Sequence, residues 1–133
     1  MTLWHCGRRI GCLGPVMTDQ PWLLASVDYD DAAYAVTLES ASHFLNVLVE
    51  EMPDFEDPEE DERHYFEVLE SEGLTQQLLD GLTRGQWEIR CGSEREEIQF
   101  HSLRHGTLQW RGPMGAAVQE STRKNSRRGS PDF

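Results

Sequence analysis

The chain of 133 residues carries 24 Asp and Glu against 12 Lys and Arg, which gives a net charge of −12 and a pI near 4.7. This balance disfavours nucleic acid and anionic membranes as partners, because their phosphate groups attract Lys and Arg and repel carboxylates. The apolar runs are far shorter than the roughly 20 residues that a transmembrane helix requires. We therefore expect a folded domain that binds neither nucleic acid nor a membrane.

The first 30 residues predict three β-strands. Leu3 to Cys6 and Ile10 to Leu13 flank a Gly-containing turn, a pattern typical of a β-hairpin. Trp22 to Val27 follows a turn that contains Pro21 and predicts a third strand. The N-terminal part of the chain should therefore supply a hairpin and one further strand to a sheet.

The middle of the chain predicts two helices. Apolar residues recur at helical spacing from Ala32 to Met52, and Asp30 or Asp31 suits the N-cap. A second helix is predicted from Glu59 to Ser71. The apolar residues expected to face the core from this helix are Tyr65, Phe66, Val68 and Leu69. The segment from Leu74 to Leu82 is compatible with a short helix or with a loop that covers the core.

The C-terminal part predicts three short strands from Trp87 to Arg111, because apolar and polar residues alternate between Gly-bearing turns. Such a pattern is typical of an antiparallel meander with one apolar face. The sequence thus predicts an α+β fold. Its antiparallel sheet should combine the N-terminal strands with the C-terminal meander, and the two helices should pack on one face.

Residues 112–133 differ from the rest of the chain. They are poor in apolar residues, rich in Gly, Ser and Arg, and carry four of the twelve basic residues. We expect a single α+β domain over residues 1–111, followed by a disordered basic tail over residues 112–133.

The strongest functional clue is the acidic segment, Glu50 to Glu72, which holds twelve of the 24 carboxylates against one arginine, Arg63. Like charges at this density repel unless solvent, cations or a basic partner relieve them. Part of the segment has a structural explanation, since carboxylates in the first turn of a helix interact favourably with its dipole. The Pro-bracketed connector before that helix has none. Candidate partner-binding residues are therefore Asp54, Glu56 and Asp57, followed by Glu59, Glu60 and Asp61.

Signatures of catalysis are missing from the sequence, which contains no G-x-S-x-G, no Gly-rich phosphate loop and no C-x-x-C pair. Folding could bring His5, Cys91, His101 and His105 together as metal ligands, but buried cysteine is more often a small apolar residue. The three cysteines suit a reduced, cytoplasmic setting. We predict no catalytic residue, no metal and no cofactor.

A second candidate surface precedes the third strand. Asp19, Pro21 and Trp22 form a D-x-P-W motif that can build a binding ledge. The same residue types also fold loops against a core, with the aspartate bonded to the backbone and the tryptophan packed.

The pattern Gly7-Arg8-Arg9-Ile10-Gly11, followed by Asp19-Gln20-Pro21-Trp22 and by the late strands WEIRCGSEREEIQFHSLRHGTLQWR, resembles small uncharacterised bacterial α+β proteins. These share a hairpin with G-x-x-[IL]-G and D-x-P-W, an acidic helical middle and a C-terminal meander. The resemblance implies this architecture over residues 3–111 and implies no activity or catalytic residue.

Three functions follow as hypotheses. The first is a non-enzymatic interaction protein, of the immunity or inhibitor type, whose acidic surface binds a basic protein partner. The second is a small metal-dependent or ligand-binding enzyme that uses His, Cys and carboxylates. The third is a structural subunit of a larger assembly, with Trp110 or the free edge of the C-terminal meander at the interface. The sequence does not fix the oligomeric state.

Overall fold

The computed structural model of the protein describes residues 1–129, with side chains described for residues 1–123. The strands are β1 Thr2–His5, β2 Arg8–Leu13, β3 Met17–Asp19, β4 Trp22–Tyr29, β5 Trp87–Cys91, β6 Glu94–Arg104 and β7 Thr107–Arg111. The helices are α1 Ala32–His43, α2 Val49–Glu51, α3 Pro58–Ser71, α4 Gln76–Arg84 and α5 Ala116–Gly129, and a π-helical turn, Phe44–Leu48, joins α1 to α2. None of the helices within residues 1–129 has the length and apolar composition needed to cross a bilayer.

The strands form an antiparallel sheet in the order β2-β1-β5-β6-β7-β4-β3, and β2 also pairs with β4. This second pairing closes six strands into a barrel, while β3 forms a short hairpin with β4 outside the closed ring. The predicted α+β class is confirmed. The predicted arrangement is wrong, because the sheet closes on itself and α4 and α5 join the two helices that the sequence predicts.

Closure of the barrel depends on a glycine. In the pairing of β2 with β4, Gly11 lies opposite Tyr29. A Cβ atom at Gly11 would overlap the backbone carbonyl oxygen of Asp28. Any larger residue would therefore push the two strands apart at the point where the ring closes.

Aromatic rings fill the core and tie α4 to the barrel. Trp87 stacks on Phe100 and on His5, with ring centroids 4.3 Å apart in both pairs. The ring N–H groups of Trp87 and His5 donate to the carbonyl oxygens of Leu82 (3.0 Å) and Gly81 (2.9 Å). The bond from Trp87 gives the Leu82 carbonyl a donor at the end of α4, and His5 adds a second donor to the Gly81 carbonyl, which also accepts from the backbone N–H of Gly85 (2.8 Å).

The first helix covers an edge of β6. Strand β5 pairs with β6 only as far as Ile98, so the rest of β6 needs other partners on that side. The backbone N–H of Leu103 donates to Ser42 Oγ (3.0 Å), and the Asn46 side chain donates to the carbonyl oxygen of His101 (3.3 Å). Polar side chains of the first helix and its π-helical turn therefore take the place of a neighbouring strand.

The helix boundaries agree with the sequence signals, whereas the predicted burial of Phe66 does not agree with the structure. Asp31 is the N-cap of α1, as one of the two predicted candidates. The open segment after Gly73 is helical, and the side chain of Thr75 caps α4. Leu69 is buried as predicted, but Phe66 is 45% exposed and does not face the core.

The prediction of a disordered tail from residue 112 is wrong for the described residues, since α5 occupies most of them. Ala117 and Val118 are fully buried, and the backbone N–H of Val118 donates to Glu96 Oε1 (2.8 Å). Two adjacent apolar residues and one carboxylate of the barrel thus dock a segment whose composition predicts disorder. Residues 130–133 of the predicted tail lie outside the described residues.

The proposed assembly interface is not available on this fold. Strand β5 pairs with β1 and strand β7 pairs with β4, so the meander has no free outer edge. Trp110 is only 1% exposed and belongs to the core. Neither feature can meet a partner without opening the barrel.

Replacing Ser42 should destabilise the protein specifically through the edge of β6. Ser42→Ala leaves the buried N–H of Leu103 without an acceptor, which costs about 1–3 kcal/mol. Ser40→Ala is the matched control on the same helix, and we expect it to change stability by less than about 0.5 kcal/mol. Urea unfolding of both variants measures the difference, and equal losses would contradict the role given to Ser42.

The free energy of unfolding should decrease as the pH drops, and part of this decrease should come from His5. Burial lowers the pKa of His5 below its ordinary 6.5, and the bond to Gly81 opposes part of this effect. The neutral, buried His5 contributes fully to stability above pH 6.5. This contribution is lost as the pH falls below that value, because His5 is protonated at a higher pH in the unfolded chain than in the folded protein. We expect the free energy of unfolding of His5→Gln, measured with urea at a series of pH values, to fall less steeply below that pH. Parallel curves for the two proteins would refute this account.

Candidate functional site

All twelve carboxylates of the acidic segment are exposed. They extend from α2 through the connector and along α3. The ion pairs within the described residues join other carboxylates to arginines, and none includes a carboxylate of the acidic segment. Among the side chains of residues 1–123, the negative charge of this continuous stretch is therefore left to solvent ions and is not paired with arginines.

The six predicted partner-binding residues divide into two groups. Asp57 caps α3, because its side chain accepts a hydrogen bond from the backbone N–H of Glu59 (3.0 Å). Glu59, Glu60 and Asp61 fill the first turn, where the helix dipole favours negative charge. Asp54 and Glu56 make no side-chain hydrogen bond to the part of the chain whose side chains are described, residues 1–123, and are the candidates without a structural role there.

Two phenylalanines accompany these carboxylates at the surface. Phe55 is 37% exposed and Phe66 is 45% exposed, although both are large apolar side chains. Phe55 meets His64 edge to face, with ring centroids 5.4 Å apart. Exposed aromatic side chains among charged residues are typical of protein interaction surfaces. The sequence placed Phe66 in the core, so it missed this property of the segment.

The predicted ledge is only partly built. Pro21 and Trp22 line a cleft of about 650 Å³ that Gly112 and Pro113 border on the other side. Trp22 also packs against His101, with ring centroids 4.5 Å apart. Asp19 is exposed at the end of β3 and does not line the cleft. The ledge therefore consists of apolar and backbone groups and lacks the carboxylate.

The predicted His and Cys set does not form a metal site. Cys91 is buried in the core, His101 packs on Trp22, and His105 lies in the turn between β6 and β7. Across the part of the chain that the structure describes, no group of three His, Cys, Asp or Glu side chains is arranged to hold a metal ion.

His5 and Cys6 are close without forming a catalytic dyad. The Sγ atom of Cys6 lies 3.5 Å from Nε2 of His5. The same nitrogen is 2.9 Å from the carbonyl oxygen of Gly81, which can only accept, so Nε2 carries a hydrogen. A nitrogen that already carries its hydrogen cannot take the proton of the thiol, and His5 therefore cannot serve Cys6 as a general base.

A cleft of about 330 Å³ lies beside α1 and was not predicted from the sequence. One face of the helix lines it through Val36, Glu39, Ser40 and His43, which are spaced as neighbours on a helical surface. Val36 is 68% exposed. The helical spacing of these four residues is visible in the sequence. It indicates a cleft only once the residues that line the opposite side, Glu72, Arg104 and His105, are known from the structure.

Glu39 is held in place by one strand and one turn. Its Oε2 atom accepts hydrogen bonds from the Tyr29 hydroxyl (2.8 Å) and from the backbone N–H of Gly106 (3.0 Å). Oε1 has no such donor within the described residues. Burial, the hydrogen bond to Glu39 and the charge of Glu39 together raise the pKa of Tyr29 far above its ordinary 10. The phenol therefore remains a donor to the carboxylate.

The opposite wall brings charges of both signs. Arg104 lies at the end of β6 and His105 in the turn that follows it, while Glu72 comes directly after α3. Arg104 forms no ion pair with any carboxylate among the described side chains. The cleft thus holds a cation and two carboxylates that do not neutralise one another by direct contact.

Comparisons with protein-family models, with curated proteins and with solved structures found no match to this chain. Function must therefore be inferred from the surfaces of the molecule itself.

The Tyr29 phenol should ionise only when the fold is lost. In an alkaline titration followed by phenolate absorbance, we expect one tyrosine to ionise together with unfolding, because its raised pKa keeps it neutral in the native protein. The Tyr29→Phe variant should lack that last step. If the substitution instead removes absorbance that develops before unfolding, Tyr29 ionises in the native protein and the rise assigned to its pKa is wrong.

Proposed function

We propose that the protein is a non-enzymatic interaction module, of the immunity or inhibitor type, that binds a basic protein through the acidic segment. The observation that carries this proposal is the exposure of all twelve carboxylates without an ion pair to the described arginines. Complementary charge steers a basic partner to such a surface and accelerates association.

Phe55 and Phe66 supply exposed apolar surface that can contribute affinity for a partner, which the carboxylates alone provide only weakly. Charged groups at the rim of an interface mainly set the association rate, whereas buried aromatic side chains contribute most of the affinity. Both side chains are accessible next to carboxylates of the acidic segment. A partner with basic residues around an apolar depression fits this combination.

The connector is the part of the segment most available for recognition. Asp54 and Glu56 are exposed and have no capping role, unlike Asp57. Their side chains therefore contribute little to the stability of α3. A cytoplasmic location, no cofactor and no metal complete the proposal, and the three cysteines, all unpaired, suit a reducing compartment.

Reversing charge in the connector should weaken binding of the partner without affecting the fold. Asp54→Lys with Glu56→Lys should slow association by about tenfold or more at low salt. Glu94→Lys with Glu97→Lys makes the same change in net charge at exposed positions of β6 and is the matched control. The measurement is capture from a lysate of the source cells, with identification of the retained proteins and kinetics on the purified partner.

The wild type and the control pair should retain the same basic protein, and the connector pair should not. Phe66→Ser should increase the dissociation rate and leave the salt dependence unchanged, because it removes an apolar contact and no charge. Equal retention by all four proteins, or the absence of any basic protein among those retained, would overturn the proposed function.

A further inference from the structure

The cleft beside α1 differs in chemistry from the acidic segment. Val36 offers an exposed apolar surface, Arg104 offers an uncompensated cation, and Glu39 and Glu72 offer carboxylates. Two imidazoles, of His43 and His105, add groups that donate or accept hydrogen bonds. Arg104, Glu39 and Glu72 thus line one small cleft without forming ion pairs with one another, although opposite charges attract.

A ligand with a single charge satisfies only half of this cleft. A simple anion would pair with Arg104 and would be repelled by Glu39 and Glu72. A simple cation would pair with the carboxylates and would be repelled by Arg104. A ligand that carries an ammonium and a carboxylate group on the same carbon atom satisfies both, since none of these three groups forms an ion pair with another within the described side chains.

Glu39 is prepared for the cationic end of such a ligand. Two donors hold Oε2, which fixes the orientation of the carboxylate before binding, and Oε1 makes no hydrogen bond to the side chains described up to residue 123. A side chain already fixed in place loses little conformational entropy when a ligand binds. The hydroxyl of Ser40, one position further along the helix, is available to the anionic end.

We propose that this cleft binds a small zwitterion of the α-amino acid class. The carboxylate of the ligand pairs with Arg104, its ammonium group pairs with Glu39 and Glu72, and an aliphatic side chain lies on Val36. The cavity of about 330 Å³ is large enough for a single amino acid and too small for a folded partner. The cleft shares Glu72 with the end of the acidic segment, but the proposal does not depend on the basic protein that we propose to bind that segment.

The experiment uses the full chain and three probes that differ only in charge. L-Leucine carries both charges, 3-methylbutylamine lacks the carboxylate, and 4-methylpentanoate lacks the ammonium group. Binding is followed by calorimetry and by the amide signal of Gly106, which reports on Glu39 through its hydrogen bond. A panel of the other aliphatic L-amino acids is titrated in the same way, up to millimolar concentrations.

We expect saturable binding of at least one aliphatic amino acid. Each single-charge analogue should bind more weakly by a factor of about ten or more. Arg104→Gln should weaken amino-acid binding and strengthen binding of the amine, because it removes the partner of the carboxylate and the cation that repels the ammonium group. Glu72→Gln should weaken binding of the amino acid and of the amine together. Arg95→Gln, at an exposed position of β6, is the control and should change neither.

The result that would overturn the proposal is binding of the amine or of 4-methylpentanoate as tight as that of the amino acid, which would make the cleft a simple cation or anion site. Failure of every amino acid in the panel to bind would overturn it as well. Neither result bears on capture of a basic protein by the acidic segment, because the variants used for that test lie outside the cleft.

Discussion

The closing contact between β2 and β4 is the constraint on which the other features of the molecule depend. Gly11 permits this contact because a side chain there would collide with the backbone of β4. The residue opposite Gly11 is Tyr29, and its hydroxyl holds Glu39 on α1. Barrel closure therefore fixes the position of the first helix, and with it the wall of the cleft beside that helix. A substitution at Gly11 in β2 would therefore displace the carboxylate of Glu39 on α1.

Much of the fold could be read from the sequence because its signals are local. Alternation of apolar residues marked the strands, prolines marked the acidic connector, and Asp31 marked the start of α1. The short strand β3 was not predicted, since all three of its residues are exposed and show no alternation. Barrel closure could not be predicted because it joins strands through a backbone approach at Gly11 that leaves no pattern in the side chains.

The candidate surfaces were predictable to different degrees. The charge of the acidic segment is a matter of composition, and its exposure follows because carboxylates are rarely buried without a partner. The burial of Val118 and the exposure of Phe66 depend on which face of a helix finds a neighbour, and that is decided by tertiary packing. The cleft beside α1 required Arg104 and Glu39, which are far apart in the chain, to meet across the turn that Gly106 completes.

The pairing of β1 with β5 has a consequence for how the protein is made. Thr2 lies beside Arg90, so the first strand finds one of its two neighbours 88 residues later in the chain. Both helices that carry the acidic segment precede that neighbour in the chain and are therefore synthesised before it. Contacts this distant in sequence slow folding, since a long loop must close before they form. Until β5 is synthesised, β1 therefore lacks one of its two neighbours in the sheet, and the net negative charge of the chain disfavours association between such incomplete molecules.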